Sequence, residues 1–553
     1  MNFYENDPVL QDIMEQKFDQ SFWPWAHEQL HRFGEMCANE IDERAVHTDR
    51  EGQPKLIKYN KMGEDISEVW LNEGYKQTIA DTYGEGIVGY LHKPIPELGR
   101  RGNYLYSYAQ GYLLSQSEPG FYCPVTLTMA TAYLIEHYAD EELKAAYLPH
   151  VASTGETELY EGATFLTERQ GGSDVGANEV KAVSEDSCYQ LYGEKYFASN
   201  AGACGVAMVL ARIEGSPKGT KGLSLFLVPW RHEDETLNGI QIRRLKDKLG
   251  VRAVPSAEVE FNGAKAYLVG KADQGFYYMM EALNLSRVCN AVASIGIMRR
   301  AYTEAYTYAQ QRKAFGQSLI QYPMIKDSLV KMCVKQEVEM RTVFDMIGFF
   351  DEAAREPEKE GDATRVMNRL RIAIMKKETA EQAVHFAHES LEMHGGNGYI
   401  EDFVTPRLLR DAQVLTVWEG TANILGLEVL RLLHKFGAHE HFFEEMNQRL
   451  SSVHVLSKEV GIVKSELKIL TAWIGEVLQK GSDVQTFYSK KIAERMAVLY
   501  EAVVALEAGG KSTRNQKVAE LYVHNSYSEE EPMDSPKSLQ YSEEILRFNK
   551  VLH

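Results

Sequence analysis

The strongest constraint on the fold is a change of periodicity in the middle of the chain. Between Thr164 and Val269 lie short runs of alternating or β-rich composition: Val206 to Ile213, Leu223 to Val228, Ile240 to Leu245 and Ala257 to Phe261. Gly, Asn, Pro and Lys separate them, as turns require. On either side, apolar residues recur at three- and four-residue spacing, as in Tyr108, Tyr112, Leu113 and Ala130, Tyr133, Leu134. A period of two cannot join a helical bundle, so the chain must place a β-domain of roughly a hundred residues between helical ones.

With 553 residues the chain is too long for one core. We read an α+β multidomain protein in four regions: a helical domain with an extension over 1–160, a central β-domain over 161–272, a helical bundle over 273–436, and an additional helical region with an acidic tail over 437–553. Within the first, a polar piece from Thr48 to Gln53, turning at Glu51-Gly52, and a Pro- and Gly-rich stretch from Lys93 to Gly102 read as connections. Helical periodicity runs from Phe276 to about Phe350, from Ala363 to Met393, and from Glu419 to about Lys435. Asp351 to Asp362 reads as a charged connection. Ser526 to Lys537, with Glu529-Glu530-Glu531 between prolines and serines, reads as a linker or surface loop.

Charge narrows the function classes. The 79 acidic and 60 basic residues leave a formal charge of -19, which repels phosphate backbones and anionic lipid. Nucleic acid is therefore not the expected partner. Six cysteines lie far apart without a CxxC pair, so neither a disulfide framework nor a thiolate metal site is indicated. The N-terminus lacks a basic start and apolar run, and no apolar segment reaches spanning length; we expect a cytoplasmic protein with no membrane partner.

Five strings carry chemistry. Val417-Trp418-Glu419-Gly420-Thr421-Ala422-Asn423 sets a carboxylate beside a glycine that permits close backbone approach, with hydrogen-bonding side chains following and apolar neighbours that suit a site with little water. Leu166-Thr167-Glu168-Arg169-Gln170-Gly171-Gly172-Ser173-Asp174-Val175 is a loop whose amides can face an anion or a ring edge. Tyr196-Phe197-Ala198-Ser199-Asn200 places an aromatic ring and a hydroxyl on one face of a strand. In Arg312-Lys313-Ala314-Phe315-Gly316-Gln317 a guanidinium stands at a helix end, where its fork suits pyrophosphate. Gly395-Gly396-Asn397-Gly398-Tyr399 ends another helix with more glycines than a C-cap needs. Singly, each has an ordinary reading as a turn, cap or core residue.

In this order and spacing the five strings resemble the acyl-CoA dehydrogenase family of flavoproteins over roughly Glu68 to Lys435. Cys123-Pro124-Val125-Thr126-Leu127-Thr128, Leu245 to Arg252 and the long extensions resemble its AidB-like alkylation-response branch. The resemblance implies an N-terminal helical domain, a central β-domain and a C-terminal four-helix domain, with FAD between the last two and an extra C-terminal helical region. It implies Glu419 as the catalytic base. Leu166, Thr167, Gly172 and Ser173 match the loop beside the flavin, Phe197 the aromatic packed on it and Ser199 the hydroxyl near N5. Arg312 and Phe315 match pyrophosphate and adenosine contacts, and Thr421 and Asn423 further FAD contacts. Gly395 and Gly396 match a loop reaching the FAD of a neighbouring subunit, while Ser173 and Arg287 match substrate-binding positions.

Three positions depart from the family pattern. Glu392 replaces a frequent Gln before the glycine loop, Tyr322-Pro323 replaces an aromatic-Gln pair, and Ser286 stands where some members carry the base on an earlier helix. The implied reaction is α,β-dehydrogenation of an acyl-CoA thioester to the 2,3-enoyl-CoA. The implied partners are an electron-transferring flavoprotein and a homodimer or homotetramer. Two other readings stay open: an acyl-CoA oxidase, and an alkylation-stress flavoprotein associated with nucleic acid. The second needs a basic surface, with Lys490, Lys491, Arg495, Lys511, Arg514 and Lys517 as candidates among many acidic residues.

One competing motif points elsewhere. His27-Glu28-Gln29-Leu30-His31 fits HExxH, with Glu51 at a plausible distance for a third zinc ligand. Such short patterns recur by chance, so we expect packed or solvated helix residues there and no metal. His385, His388 and His394 read the same way.

Overall fold

The computed structural model describes residues 1–353, 363–528 and 536–546. The chain divides into two compact units, one of Met36–Cys289 and one of Met1–Glu35 with Asn290–His553. Most of the connection after Asp351 and of the acidic tail lies outside the described residues. Among the described residues no helix is long and apolar enough to cross a membrane.

In the unit Met36–Cys289 the early helices start where short polar side chains accept the first free amides. Asn72 accepts from Tyr75, Asn103 from Tyr106 and Asp140 from Leu143. Helices Tyr104–Leu114 and Pro119–Tyr138 are almost wholly buried, which is why their sequences are apolar and aromatic on nearly every face. The polar stretch after Ala45 is only partly a connection. Helix Asp42–Arg50 takes in Thr48 to Arg50, and the amides of Glu51 and Gly52 then both return to the His47 carbonyl to form the expected turn.

An antiparallel hairpin, β1 (Lys55–Tyr59) and β2 (Asp65–Trp70), interrupts the helical region, against the expectation of helices and loops alone. The β-domain follows with β3 (Gly162–Phe165), β4 (Lys181–Glu185), β5 (Cys188–Ser199), β6 (Val206–Ile213), β7 (Leu223–Pro229), β8 (Ile240–Leu245) and β9 (Ser256–Val269). Strand β4 pairs with β5, β5 with β9, β9 with β7, β7 with β6 and β6 with β4, so five strands close on themselves while β3 flanks β6 and β8 flanks β9. Closure removes most exposed edges. Its interior is filled by Phe165, Val209, Phe226, Trp230 and Val259, the inward residues of the alternating runs. The hairpin docks on β8, where the Ile242 amide donates to the Ser67 hydroxyl at 2.9 Å and Lys58 Nζ donates to the Ile242 carbonyl at 2.7 Å. That tertiary partner explains why a two-stranded ribbon persists inside a helical sequence.

The other unit is helical. Its bundle consists of Gly275–Gln311 from Asn290 onward, Pro323–Ala353, Ala363–His394 and Ala422–Phe436. The helical stretch from Phe276 to about Phe350 is in two helices: the first ends at Gln311, next to Arg312 as the arginine string suggested, Phe315 and Gly316 adopt positive φ (49° and 90°), and Pro323 starts the second. Helices Ala438–Ser451, Ser457–Leu478, Ser482–Gly509, Thr513–Tyr527 and Lys537–Leu546 extend the bundle, with Ser482–Gly509 packing on three of the bundle helices. A buried ion pair fastens this extension: Arg514 Nη1 donates to Glu337 Oε2 at 2.9 Å, and Arg514 Nη2 donates to the Ile545 carbonyl at 2.9 Å. The first residues belong to the same unit. Helix Pro8–Lys17 is capped by Asp7, and Arg299 donates to the Asn6 carbonyl at 2.6 Å.

Candidate active site

Within the unit Met36–Cys289, the chain leaves β3 at Phe165 and forms the loop Leu166–Val175, whose base is fixed by a buried charge pair. Lys195 Nζ lies 2.8 Å from Glu168 Oε1 and donates also to the Leu166 carbonyl at 3.2 Å. Burial lowers the Lys195 pKa and the Glu168 carboxylate opposes that shift. The Glu168 carboxylate also accepts from the amides of Glu179 and Val180, Asn178 Nδ2 donates to the Leu166 carbonyl, and the Tyr196 amide donates to the Thr167 carbonyl. The backbone of Leu166 and Thr167 is thereby pinned from β5 and from the segment just before β4, while Gly172 and Ser173 at the tip stay exposed. Gly172 is required by a close approach: a Cβ there would stand 2.6 Å from Thr167 Oγ1.

Strand β5 carries the aromatic and the hydroxyl. Strict alternation puts Lys195, Phe197 and Ser199 on one face, yet Lys195 is buried and Phe197 is 56% exposed. The pairing with β9 slips by one residue between Lys195 and Ala198, and this bulge turns Lys195 and Ala198 inward while Phe197 and Ser199 face out. A phenyl ring and a hydroxyl thus share one outer face, as the sequence pattern suggested. Beside them the Tyr196 ring carries Lys246 Nζ 3.4 Å from its centroid. Arg287, by contrast, is buried, with Nη1 donating to Asn284 Oδ1 at 3.1 Å. The Ser286 hydroxyl donates to the Ala282 carbonyl, so that position holds no base.

In the helical unit, Arg312 is exposed just beyond the end of helix Gly275–Gln311. A two-residue hairpin, Lys313–Ala314 against Gln317–Ser318, follows, and Tyr322 Oη donates to the Ala314 carbonyl at 2.7 Å. Tyr322 therefore holds this loop's backbone. Phe315 stands at the tip, 98% exposed. In the 3-10 turn Gly395–Tyr399, a Cβ at Gly398 would meet the Leu391 carbonyl at 2.2 Å, whereas Gly395 and Gly396 face open space. Packing explains only the third glycine. Glu392 points to solvent, 3.7 Å from His388 Nε2.

Glu419 sits in the turn between helices Thr405–Leu415 and Ala422–Phe436. The amides of Val417 and Trp418 both donate to the Val414 carbonyl, closing the first helix, and Thr421 opens the second without a side-chain cap. Between them Glu419 and Gly420 adopt positive φ, 56° and 104°. Lys376, from helix Ala363–His394, donates to the Gly420 carbonyl at 2.7 Å. Glu419 is half-buried, with its Oε2 out of reach of solvent, while Asn423 is exposed and Val417 is 59% exposed.

Within the helical unit, an exposed guanidinium, a helix-start hydroxyl outside the capping bond and two open glycines are groups that can meet phosphates and sugars. Within the unit Met36–Cys289, an exposed phenyl ring beside a hydroxyl can meet a planar ring such as an isoalloxazine.

The HExxH motif has another role. His27 Nδ1 hydrogen-bonds Tyr4 Oη at 2.9 Å, and His31 Nε2 lies 3.3 Å from Asn2 Nδ2, so both imidazoles hold the N-terminal segment. His394 Nδ1 donates to the Ser390 carbonyl at 2.7 Å within its own helix. The basic residues of the C-terminal region are largely engaged: Arg514 is buried against Glu337, and Lys491, Arg495 and Lys517 pair with Glu494, Glu466 and Glu544. Sequence reasoning missed Lys195 and Lys376, since a buried lysine has no local signature.

Three family models match the chain: the AidB N-terminal domain of the adaptive response protein over residues 1–155, the acyl-CoA dehydrogenase middle domain over 163–264, and the acyl-CoA dehydrogenase C-terminal domain over 273–433. Acyl-CoA dehydrogenase family member 11 of Caenorhabditis elegans is 31% identical over 96% of this chain and 88% of its own. The AidB protein of Escherichia coli (strain K12) is 31% identical over 69% of each chain. The crystal structure of Caenorhabditis elegans ACDH-11 in complex with C11-CoA superposes with a TM-score of 0.87 at 27% identity, covering 100% of this chain and 95% of that one. The order of helical, β and helical domains and these matches agree, and the chain belongs to the acyl-CoA dehydrogenase family of FAD-dependent oxidoreductases, with an AidB-type N-terminal domain.

Proposed function

We propose that this protein dehydrogenates an acyl-CoA thioester to the 2,3-enoyl-CoA with Glu419 as base. The observation that carries the reading is Glu419 itself, a half-buried carboxylate on a turn of positive φ at the start of a helix. FAD contacts are assigned to Leu166, Thr167, Gly172, Ser173, Phe197, Ser199, Arg312, Phe315, Gly395, Gly396, Thr421 and Asn423. Bound FAD supplies the acceptor for the β-hydrogen and its electron pair. The Glu419 carboxylate takes the α-proton as the C–H electrons move into the new double bond, and the thioester carbonyl makes that proton acidic enough to leave. Ser173 serves the substrate, as does Arg287 from its buried position.

The C11-CoA complex of the worm relative supports a fatty acyl thioester as the substrate class. An electron-transferring flavoprotein takes the electrons onward, the working form is a homodimer or homotetramer, and the compartment is the cytoplasm, where the six free cysteines stay reduced. The basic residues of the C-terminal region are too well paired for a nucleic-acid surface to be preferred.

Anaerobic titration of the yellow protein with acyl-CoAs of varied chain length and branching tests this reading. Bleaching of flavin absorbance by one class is expected, and its loss in Glu419→Gln with FAD still bound. Full bleaching in that variant removes Glu419 from the role of base, and oxidised flavin with every thioester removes the acyl-CoA reading.

A further inference from the structure

Lys376 is 1% exposed in the middle of helix Ala363–His394. Burying an ammonium costs several kcal/mol unless strong acceptors meet it. One acceptor is the Gly420 carbonyl, 2.7 Å from Nζ, a short charge-assisted hydrogen bond. That carbonyl belongs to the residue directly after Glu419.

Glu419 has φ 56° and Gly420 has φ 104°. A left-handed conformation at a non-glycine residue costs about 1 kcal/mol or more and persists only where the surroundings impose it. The turn is anchored upstream by the Val417 and Trp418 amides on the Val414 carbonyl and downstream by the Leu425 amide on the Thr421 carbonyl. The Lys376 bond falls between those anchors, on the residue directly after the strained Glu419. It comes from a different helix, so it sets the turn relative to the body of the bundle. A charge-assisted bond from an ammonium holds that carbonyl more firmly than a neutral donor would.

We propose that Lys376 is a positioning residue for the proton-abstraction step: it holds the Glu419–Gly420 turn so that the carboxylate keeps one direction. This rests on Glu419 being the base.

The test compares FAD-loaded Lys376→Met, Lys376→Arg, Lys376→Gln and Glu419→Gln in anaerobic single-turnover flavin reduction by the acyl-CoA class that bleaches the wild type. In Lys376→Met we expect unchanged FAD content and substrate affinity, with reduction slowed roughly 10- to 100-fold. Lys376→Arg recovers most of the rate. Wild-type rate in Lys376→Met overturns the proposal. If Glu419→Gln also reduces flavin at the wild-type rate, the base assignment is what has failed. Should Lys376→Met not fold, slow reduction in Lys376→Gln beside fast reduction in Lys376→Arg supports the proposal, and wild-type rates in both overturn it.

Discussion

Lys195 and Glu168 form an ion pair sealed from solvent, 2.8 Å apart with side-chain exposures of 0% and 6%. It joins the loop Leu166–Val175 to strand β5, the two segments that carry the flavin-type residues of their unit. The pair is a scaffold for the site, since neither side chain is open to a ligand. Removing one partner leaves a buried charge alone, which costs about 3–5 kcal/mol, whereas replacing both with apolar residues costs far less. We expect Lys195→Met to lower the urea midpoint strongly and to weaken FAD retention. The double variant Lys195→Met with Glu168→Leu recovers part of the stability, the Glu179 and Val180 amides losing their acceptor. A single variant as stable as the double one contradicts this account.

Glu161 makes stability depend on pH. It is fully buried, and burial pushes its carboxyl up to about 7 from 4.5, against hydrogen bonds from Tyr83 and Asn200. The Tyr83 hydroxyl donates to Oε1 at 2.9 Å. Its folded pKa exceeds its unfolded one, so the folded state holds this proton more tightly. The contribution is complete below 4.5 and is lost as pH rises to about 7. It amounts to about 3 kcal/mol. Glu136 acts in a separate window: although burial opposes it, bonding to His92 and Arg101 holds its carboxyl down to about 2, and its contribution is lost as pH falls below 4.5. Denaturant titrations at pH 5 and pH 8 are expected to show a smaller difference in Glu161→Gln than in the wild type; an unchanged difference excludes Glu161 as the source.

The glycines after His394 separate packing from binding. Gly398→Ala forces a methyl against the Leu391 carbonyl and is expected to cost about 1–3 kcal/mol, read as a lower melting temperature. Gly396→Ala meets nothing within 4 Å and is expected to melt like the wild type, with any effect confined to FAD affinity. Equal destabilisation by both substitutions contradicts the separation.

Much of this protein was legible along the chain because the signals were local. Strands β6 and β8 end where alternating composition ends, and helix Ala363–His394 where its periodicity ends. Arg312 and Glu419 lie on loops because a helix end and a glycine mark their neighbourhoods. The hairpin β1–β2 was missed, since its stability comes from docking on β8, nearly two hundred residues away in sequence. Arg514 looked like a surface base in a basic-acidic mixture and is buried against Glu337.

The amino-acid sequence by itself determined the order of helical and β regions, because periodicity and glycine are properties of neighbours in the chain, while the base candidate and the groups for a flavin came from the ordered strings that resemble the family. Tertiary structure alone decided which way those groups face and what holds them. The bulge after Lys195 turns Phe197 outward, and Lys376 reaches Gly420 from another helix. Both are contacts between segments far apart in sequence, and their energies exist only once desolvation by the folded unit makes an unpaired charge or a mismatched strand costly.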